Sequence, residues 1–246
     1  MINKVSFVVI PIDDFTNKII IGKPINMILL GLNVKPIKKQ DGFFIFMNID
    51  VLKADLTIDA YSYNITKLTI DISKLNHLNP IIKVRLKPND RYNFPNNTTC
   101  IRGKGEPNTR ISIIQNCKSN MFKLLDDNVN NSSILKIYNP LNIDLEGKSF
   151  IITEKVNKAK EKFNIVEFNE ITEEYILDKP LKKEYKKEIC EILKIDYIDI
   201  FEDGIFFLPL KNVTKEQNEV VIEKQEGSKK IVKLIEGIIN DVKVLD

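Results

Sequence analysis

The residues that could do chemistry are few and scattered. The chain of 246 residues has one histidine, His77, and three cysteines, Cys100, Cys117 and Cys190. His77 stands in a polar stretch before Asn79-Pro80. No serine or cysteine motif accompanies it, so no nucleophile–base pair is spelled out. The cysteines lack CxxC or Cys/His spacing and read as buried, reduced thiols rather than metal ligands. Cys100 and Cys117 fall on neighbouring predicted strands, where a disulfide between them is sterically open but not required. The paired acids Asp13-Asp14 and Glu173-Glu174 lie in turn or surface contexts, and glycosidase acids are defined by separation in space, not along the chain. The loop Gly103-Lys104-Gly105-Glu106-Pro107-Asn108 is glycine-containing, yet phosphate cradling wants a helix N-terminus next. The alternating stretch Arg110-Ile111-Ser112-Ile113-Ile114 follows instead. Asp126-Asp127-Asn128-Val129-Asn130-Asn131 has the acids of a calcium loop without its sixth-position glycine or closing glutamate, and reads as a polar hairpin tip. These patterns predict a protein that is not an enzyme, with no catalytic residue, no cofactor and no metal site.

The net charge of +3 conceals an asymmetry. Residues 1–90 carry +4, residues 91–155 carry +3 and residues 156–246 carry −4. No segment is basic enough for a phosphate-tracking groove, so nucleic acid is not an expected partner. The one basic–aromatic cluster is Arg85, Lys87, Arg91, Tyr92 and Phe94, and a module junction accounts for it better than single-strand binding does. The charges read first as solvated faces, with head-to-tail packing of copies through complementary ends as the sharper alternative. No apolar segment reaches the 18 residues of a membrane span. The apolar run in Met1–Pro11 is too short for a secretory leader and has no small-residue cleavage site. The expected location is therefore cytoplasmic. The Asn-x-Ser/Thr triplets at Asn64, Asn97, Asn131 and Asn212 then read as products of an asparagine-rich sequence.

The elements that must position these residues are strands. Asp41-Gly42 supplies the positive φ of a tight turn ahead of the aromatic run Phe43-Phe44-Ile45-Phe46. The phrase returns as Glu202-Asp203-Gly204-Ile205-Phe206-Phe207, which predicts a second hairpin of the same kind. Residues 1–88 show about seven short period-two segments with turn signals every 8–12 residues, as an antiparallel sandwich does. The Pro- and Asn-rich stretch 87–97 marks a junction, with Tyr92 and Phe94 as anchors of one module on the next. A second junction is expected over the charged, helix-compatible stretch from Glu154 to Lys162. Leu181, Tyr185, Ile189 and Ile192 recur at helical spacing and predict one short amphipathic helix. The fold class expected is mainly β: two to three small antiparallel Greek-key β-sandwich modules in tandem, at 1–88, 97–154 and 163–246, with that helix in the last.

Phe7-Val8-Val9-Ile10, Asp14 and Thr16, Pro24-Ile25, Pro36-Ile37 and Asp41-Gly42-Phe43-Phe44-Ile45-Phe46 resemble the opening of carboxypeptidase-regulatory-like (transthyretin-like) modules. Asn17 stands where that family commonly has glycine. The resemblance implies a seven-stranded Greek-key sandwich with a D-x-x-T turn. Ile101–Ile114, with Gly103 and Gly105-Glu106-Pro107-Asn108, is similar to the opening of a bacterial Ig-like module. Some relatives carry a Lys–Asn isopeptide link, for which Lys4 and Asn64 would be the partners here. Val84-Arg85-Leu86-Lys87-Pro88, Tyr92-Asn93-Phe94-Pro95 and Thr98–Gly103 look like junctions in proteins of phage tails and phage-tail-like contractile particles. The function implied is a structural or adapter protein of such a particle. It would bind neighbouring structural subunits, and copies of itself, through β-edges and module ends, cytoplasmic during assembly and later part of a released particle. A surface adhesion or glycan-binding sandwich is the alternative, although the absence of tryptophan and the scatter of seven tyrosines disfavour an aromatic sugar platform.

Overall fold

The computed structural model describes residues 4–115, 122–139, 143–200, 202–210, 213–215 and 218–243. The protein is mainly β, and its one helical element among the described residues is a 3-10 turn at Ile72–Lys74. The chain divides into two compact units, Met1–Phe94 and Pro95–Asp246.

The first unit has seven strands, the number expected, though β3 falls in the stretch read as a bend at Pro36: β1 (Val5–Asp13), β2 (Asn26–Leu29), β3 (Ile37–Lys38), β4 (Phe44–Met47), β5 (Lys53–Asp59), β6 (Thr66–Asp71) and β7 (Ile81–Leu86). They form a sheet ordered β3-β4-β1-β7 and a second ordered β2-β5-β6. β1 and β7 run parallel; the other pairs are antiparallel. Phe7, Val9, Phe44 and Phe46 from the first sheet meet Leu29, Leu56, Ile58 and Ile70 from the second in one core. Period-two alternation puts each set on one face. Phe7 and Phe46 stack at 4.7 Å. The Asp41-Gly42 turn closes β3 on β4, with the Lys39 amide on the Phe43 carbonyl at 2.8 Å and Gly42 at φ +89°.

The second unit holds β8 (Thr99–Lys104), β9 (Thr109–Gln115), β10 (Lys123–Leu124), β11 (Ile134–Leu135), β12 (Ile137–Tyr138), β13 (Ser149–Glu154), β14 (Lys160–Asn169), β15 (Glu174–Leu177), β16 (Cys190–Ile200), β17 (Ile205–Leu210), β18 (Glu219–Lys224), β19 (Lys229–Lys233) and β20 (Ile239–Lys243). Its main sheet is ordered β11-β15-β14-β13-β16-β9-β18-β19. A second sheet is ordered β17-β8-β20, and β10 pairs with β12. Two cores result. One gathers Phe122, Phe150, Ile152, Phe163, Tyr185 and Ile192; the other gathers Ile101, Ile113, Ile198, Phe206, Val220 and Ile222.

Four sequence expectations are corrected here. The junction expected at 154–162 is the turn of the β13–β14 hairpin, closed by the Glu154 amide on the Ala159 carbonyl at 2.9 Å. Segments 97–154 and 163–246 therefore share one sheet, because β9 of the former lies between β16 and β18 of the latter. Asp203-Gly204 does not close a hairpin: β16 stays paired with β9 to Ile200, and β17 pairs with β8 in the other sheet. An Asp-Gly pair fixes only a positive φ, here +67° at Gly204, and that serves a corner between sheets as well as a hairpin. The amphipathic helix over Leu181–Ile192 is absent: the stretch is extended and turned, and then enters β16. Spacings of four residues suit an extended chain as well as a helix. Cys117, and with it the Cys100–Cys117 pairing, lies outside the described residues.

Gly103 belongs to β8, not to the turn that follows it. A methyl group there would lie 2.5 Å from the Phe206 ring and 2.6 Å from the Val242 carbonyl oxygen. Both neighbours are strand residues, so neither gives way easily. Gly103→Ala is expected to lower stability by about 1–3 kcal/mol through overpacking, read as a lower urea midpoint at unchanged slope.

Candidate functional site

The densest polar centre of the first unit is Asp13, which the fold buries at the end of β1 with 5% exposure. Its Oδ1 accepts the Phe15 and Thr16 amides at 2.9 and 3.0 Å. Its Oδ2 accepts the hydroxyls of Tyr63 at 3.0 Å and Tyr92 at 2.6 Å. The D-x-x-T turn thus hangs on Asp13 rather than on Asp14, and Asn17 takes the left-handed φ of +58° that a glycine would adopt. Lys23 donates to the Tyr63 hydroxyl at 3.0 Å and lies over the rings of both Tyr63 and Tyr92. Tyr92 also packs on Phe94 and on Phe15. Tyr92 and Phe94, expected as anchors between modules, instead pin the end of the first unit back onto its own turn. Arg85 donates to Asn17 Oδ1 at 3.0 Å, and Arg91 lies over Tyr61, so the basic–aromatic cluster is consumed by contacts inside the unit.

Four donors on one carboxylate make this a structural clasp. The acceptor sites of both oxygens are occupied by turn amides and phenols, which leaves little capacity for proton abstraction. Burial and the neighbouring Asp13 carboxylate push the Tyr63 and Tyr92 phenols far above their ordinary range.

A second clasp organises the second unit. The Tyr185 side chain is fully buried, and its hydroxyl donates to Glu161 Oε1 at 3.1 Å. Glu161 also accepts the Lys182 and Lys183 amides, at 2.8 and 3.1 Å. Asn128 Oδ1 accepts the Tyr185 amide at 2.7 Å, and Asp127 accepts the Lys187 amide at 2.9 Å. The calcium-loop-like stretch is therefore a latch for residues 181–187: Asn128 and Asp127 each give one side-chain oxygen to a backbone amide there, and the second Asp127 oxygen accepts from the Lys186 ammonium. Asn128, read from sequence as a hairpin tip, is 7% exposed.

The remaining sequence candidates disperse. His77 is exposed. Cys100 and Cys190 are buried and unpaired, and burial pushes both thiols up to about 11, so neither is a ready nucleophile near neutral pH. The Gly105 amide is spent on the Gly204 carbonyl at 2.9 Å and the Asn108 amide on the Ile200 carbonyl at 2.8 Å, so these two donors are unavailable to a phosphate. Lys4 and Asn64 lie at opposite ends of β1. Lys4 precedes Val5, while Asn64 bonds Lys87, next to the Leu86 that pairs with Asp13. About 30 Å of strand separates those ends, too far for an isopeptide link. Among the described residues no group of three or more His, Cys, Asp and Glu side chains is placed to hold a metal. No described helix is long and apolar enough to cross a membrane.

What the surface does offer is sheet edges. Each edge strand of the four larger sheets except β6 exposes an isoleucine: Ile37, Ile81, Ile28, Ile134, Ile231, Ile205 and Ile239 are 40% to 69% exposed. No known family model matches this chain, and no curated protein matches its sequence.

Two outcomes follow from the clasps. Tyr92→Phe leaves Asp13 one donor short and is expected to cost about 1–3 kcal/mol, while Tyr61→Phe, at a side chain 71% exposed, leaves the urea midpoint unchanged. Tyr63, Tyr92 and Tyr185 have phenol pKa values raised by folding. Their stabilising effect is full below the unfolded value near 10 and declines as pH rises above it. Absorbance titration should find these phenols silent at pH 11 in the folded chain and titrating with it on denaturation.

Proposed function

We propose that this chain is a non-enzymatic structural or adapter protein of a phage-tail-like contractile particle, joining neighbouring subunits through sheet edges. The observation that carries the reading is the isoleucine exposed on almost every edge strand. An isolated soluble sandwich usually blunts its edges with charge, proline or a covering element. An edge that keeps apolar side chains beside free backbone groups suits strand addition by a partner. The resemblance of residues 1–50 to transthyretin-like modules, with Greek-key topology, and of Ile101–Ile114 to an Ig-like opening belongs to the same proposal. Both polar clasps favour it too, since their carboxylates hold turns and connectors rather than a substrate cleft.

The test is sedimentation of the tagged full-length chain with tail-like particles produced from its own genetic neighbourhood. Co-sedimentation with tube or sheath proteins is expected. A chain absent from purified particles, and bound instead by a glycan array or cell-wall fraction, would replace this reading with the adhesion alternative.

A further inference from the structure

β6 is the edge that departs from the rest. It has no exposed isoleucine and no proline, and runs Thr66-Lys67-Leu68-Thr69-Ile70-Asp71. Its inner side is fixed by β5 in the register Lys53–Asp71, Asp55–Thr69, Thr57–Lys67. The Ile72 amide bonds the Leu52 carbonyl, and the Leu30 amide on the other side of β5 bonds the Asp55 carbonyl. Antiparallel ladders alternate, so Ile70 and Leu68 spend their backbone groups on β5, while Lys67, Thr69 and Asp71 turn theirs outward. The outward row is thus lysine, threonine, aspartate.

That row is self-complementary under a two-fold axis. An antiparallel partner of the same sequence centred on Thr69 sets Thr69 against Thr69, Lys67 against Asp71 and Asp71 against Lys67. All three positions are hydrogen-bonding positions of the ladder. The same register sets Leu68 beside Ile70 on the inner face, where Leu68 is only partly buried against the core. The other long edges do not repeat this. Centred on Ile231, β19 sets Lys229 against Lys233; β20 centred on its middle sets Asp241 against itself; β7 sets Lys83 against itself or against Arg85; and β17 carries Pro209, which has no amide to give.

We infer that β6 is a docking edge for a second copy of this chain, paired antiparallel about Thr69 so that β2-β5-β6 becomes one continuous six-stranded sheet across a two-fold axis. The inference stands apart from the particle reading: a free dimer forms or fails to form whatever larger assembly the chain joins. The argument is charge and hydrogen-bond complementarity along one edge, which closes as an isologous pair and does not propagate.

Sedimentation equilibrium of the full-length protein from about 10 μM to 1 mM tests it, with circular dichroism confirming the fold of each variant. The parent is expected to show a monomer–dimer equilibrium. Lys67→Glu sets one carboxylate against each Asp71 across the axis and should weaken the dimer about tenfold. The double variant Lys67→Glu/Asp71→Lys restores opposite charges and should recover most of the loss. Thr69→Cys should form an intermolecular disulfide under mild oxidation, the paired Cα atoms of such a site being about 5.5 Å apart; Thr57→Cys, on the central strand β5, should not. A parent that stays monomeric at 1 mM, or a dimer indifferent to all of these changes, overturns the proposal.

Discussion

The second unit depends on one strand. β16 runs eleven residues and lies between β13 and β9, so it belongs to both halves of the eight-stranded sheet. Side chains two apart share a face. Cys190 and Ile192 therefore enter one core and Ile198 and Ile200 the other, all from the same side of β16. Between them on that face stand Lys194 and Asp196, whose ammonium and carboxylate meet at 2.8 Å. The pair interrupts the apolar stripe where the two cores would otherwise merge. Chain order follows from this: β8 and β9 open one core, residues 122–192 build the other, and β16 brings the chain back. The two cores share one continuous strand, laddered to β13 over residues 190–195 and to β9 over residues 195–200, whereas two modules on a linker would share none.

The first unit meets a different constraint. Its two sheets close around aromatic residues, but its end is held by one carboxylate. Asp13 is the last residue of β1, and the Tyr63 and Tyr92 phenols that reach it arrive from turns far apart in sequence. A buried carboxylate is tolerable only when its lone pairs are filled. The dependence is mutual: the turn and the chain end need the acid, and the acid needs both.

How much of this was legible follows from what each signal fixes. Alternation gave every strand of the first unit but β3, because residues such as Phe7, Val9 and Phe44, Phe46 repeat at two and sit beside clear turn residues. Asp41-Gly42 was legible for the same reason. Asp203-Gly204 carries an identical local signal, yet it turns a corner between sheets, since the partner of β17 is β8, about a hundred residues earlier. Leu181, Tyr185 and Ile189 at spacing four could not distinguish helix from extended chain; the Asn128 and Glu161 side chains that decide it are also remote in sequence. Asp13 was visible as a turn residue, but its role required Tyr63 and Tyr92, whose approach is tertiary. Local conformation was readable, and pairings across long separations were not.

The same distinction bears on the edges. An edge strand's hydrogen-bonding capacity is set by the sheet it leaves, and its partner by the side chains it exposes. Lysines at 229, 230 and 233 make β19 repel a copy of itself while leaving Ile231 open to a different strand. Pro209 does for β17 what charge does for β19. Of the edges that expose isoleucine, β7, β19 and β20 thus oppose like charges in self-pairing and β17 lacks an amide at Pro209, whereas β6, lacking isoleucine, is the long edge whose charges match its own reverse. On the two proposals made above, self-recognition falls to β6 and recognition of other chains to the remaining edges. Such a division would let a small β-protein add partners without polymerising with itself.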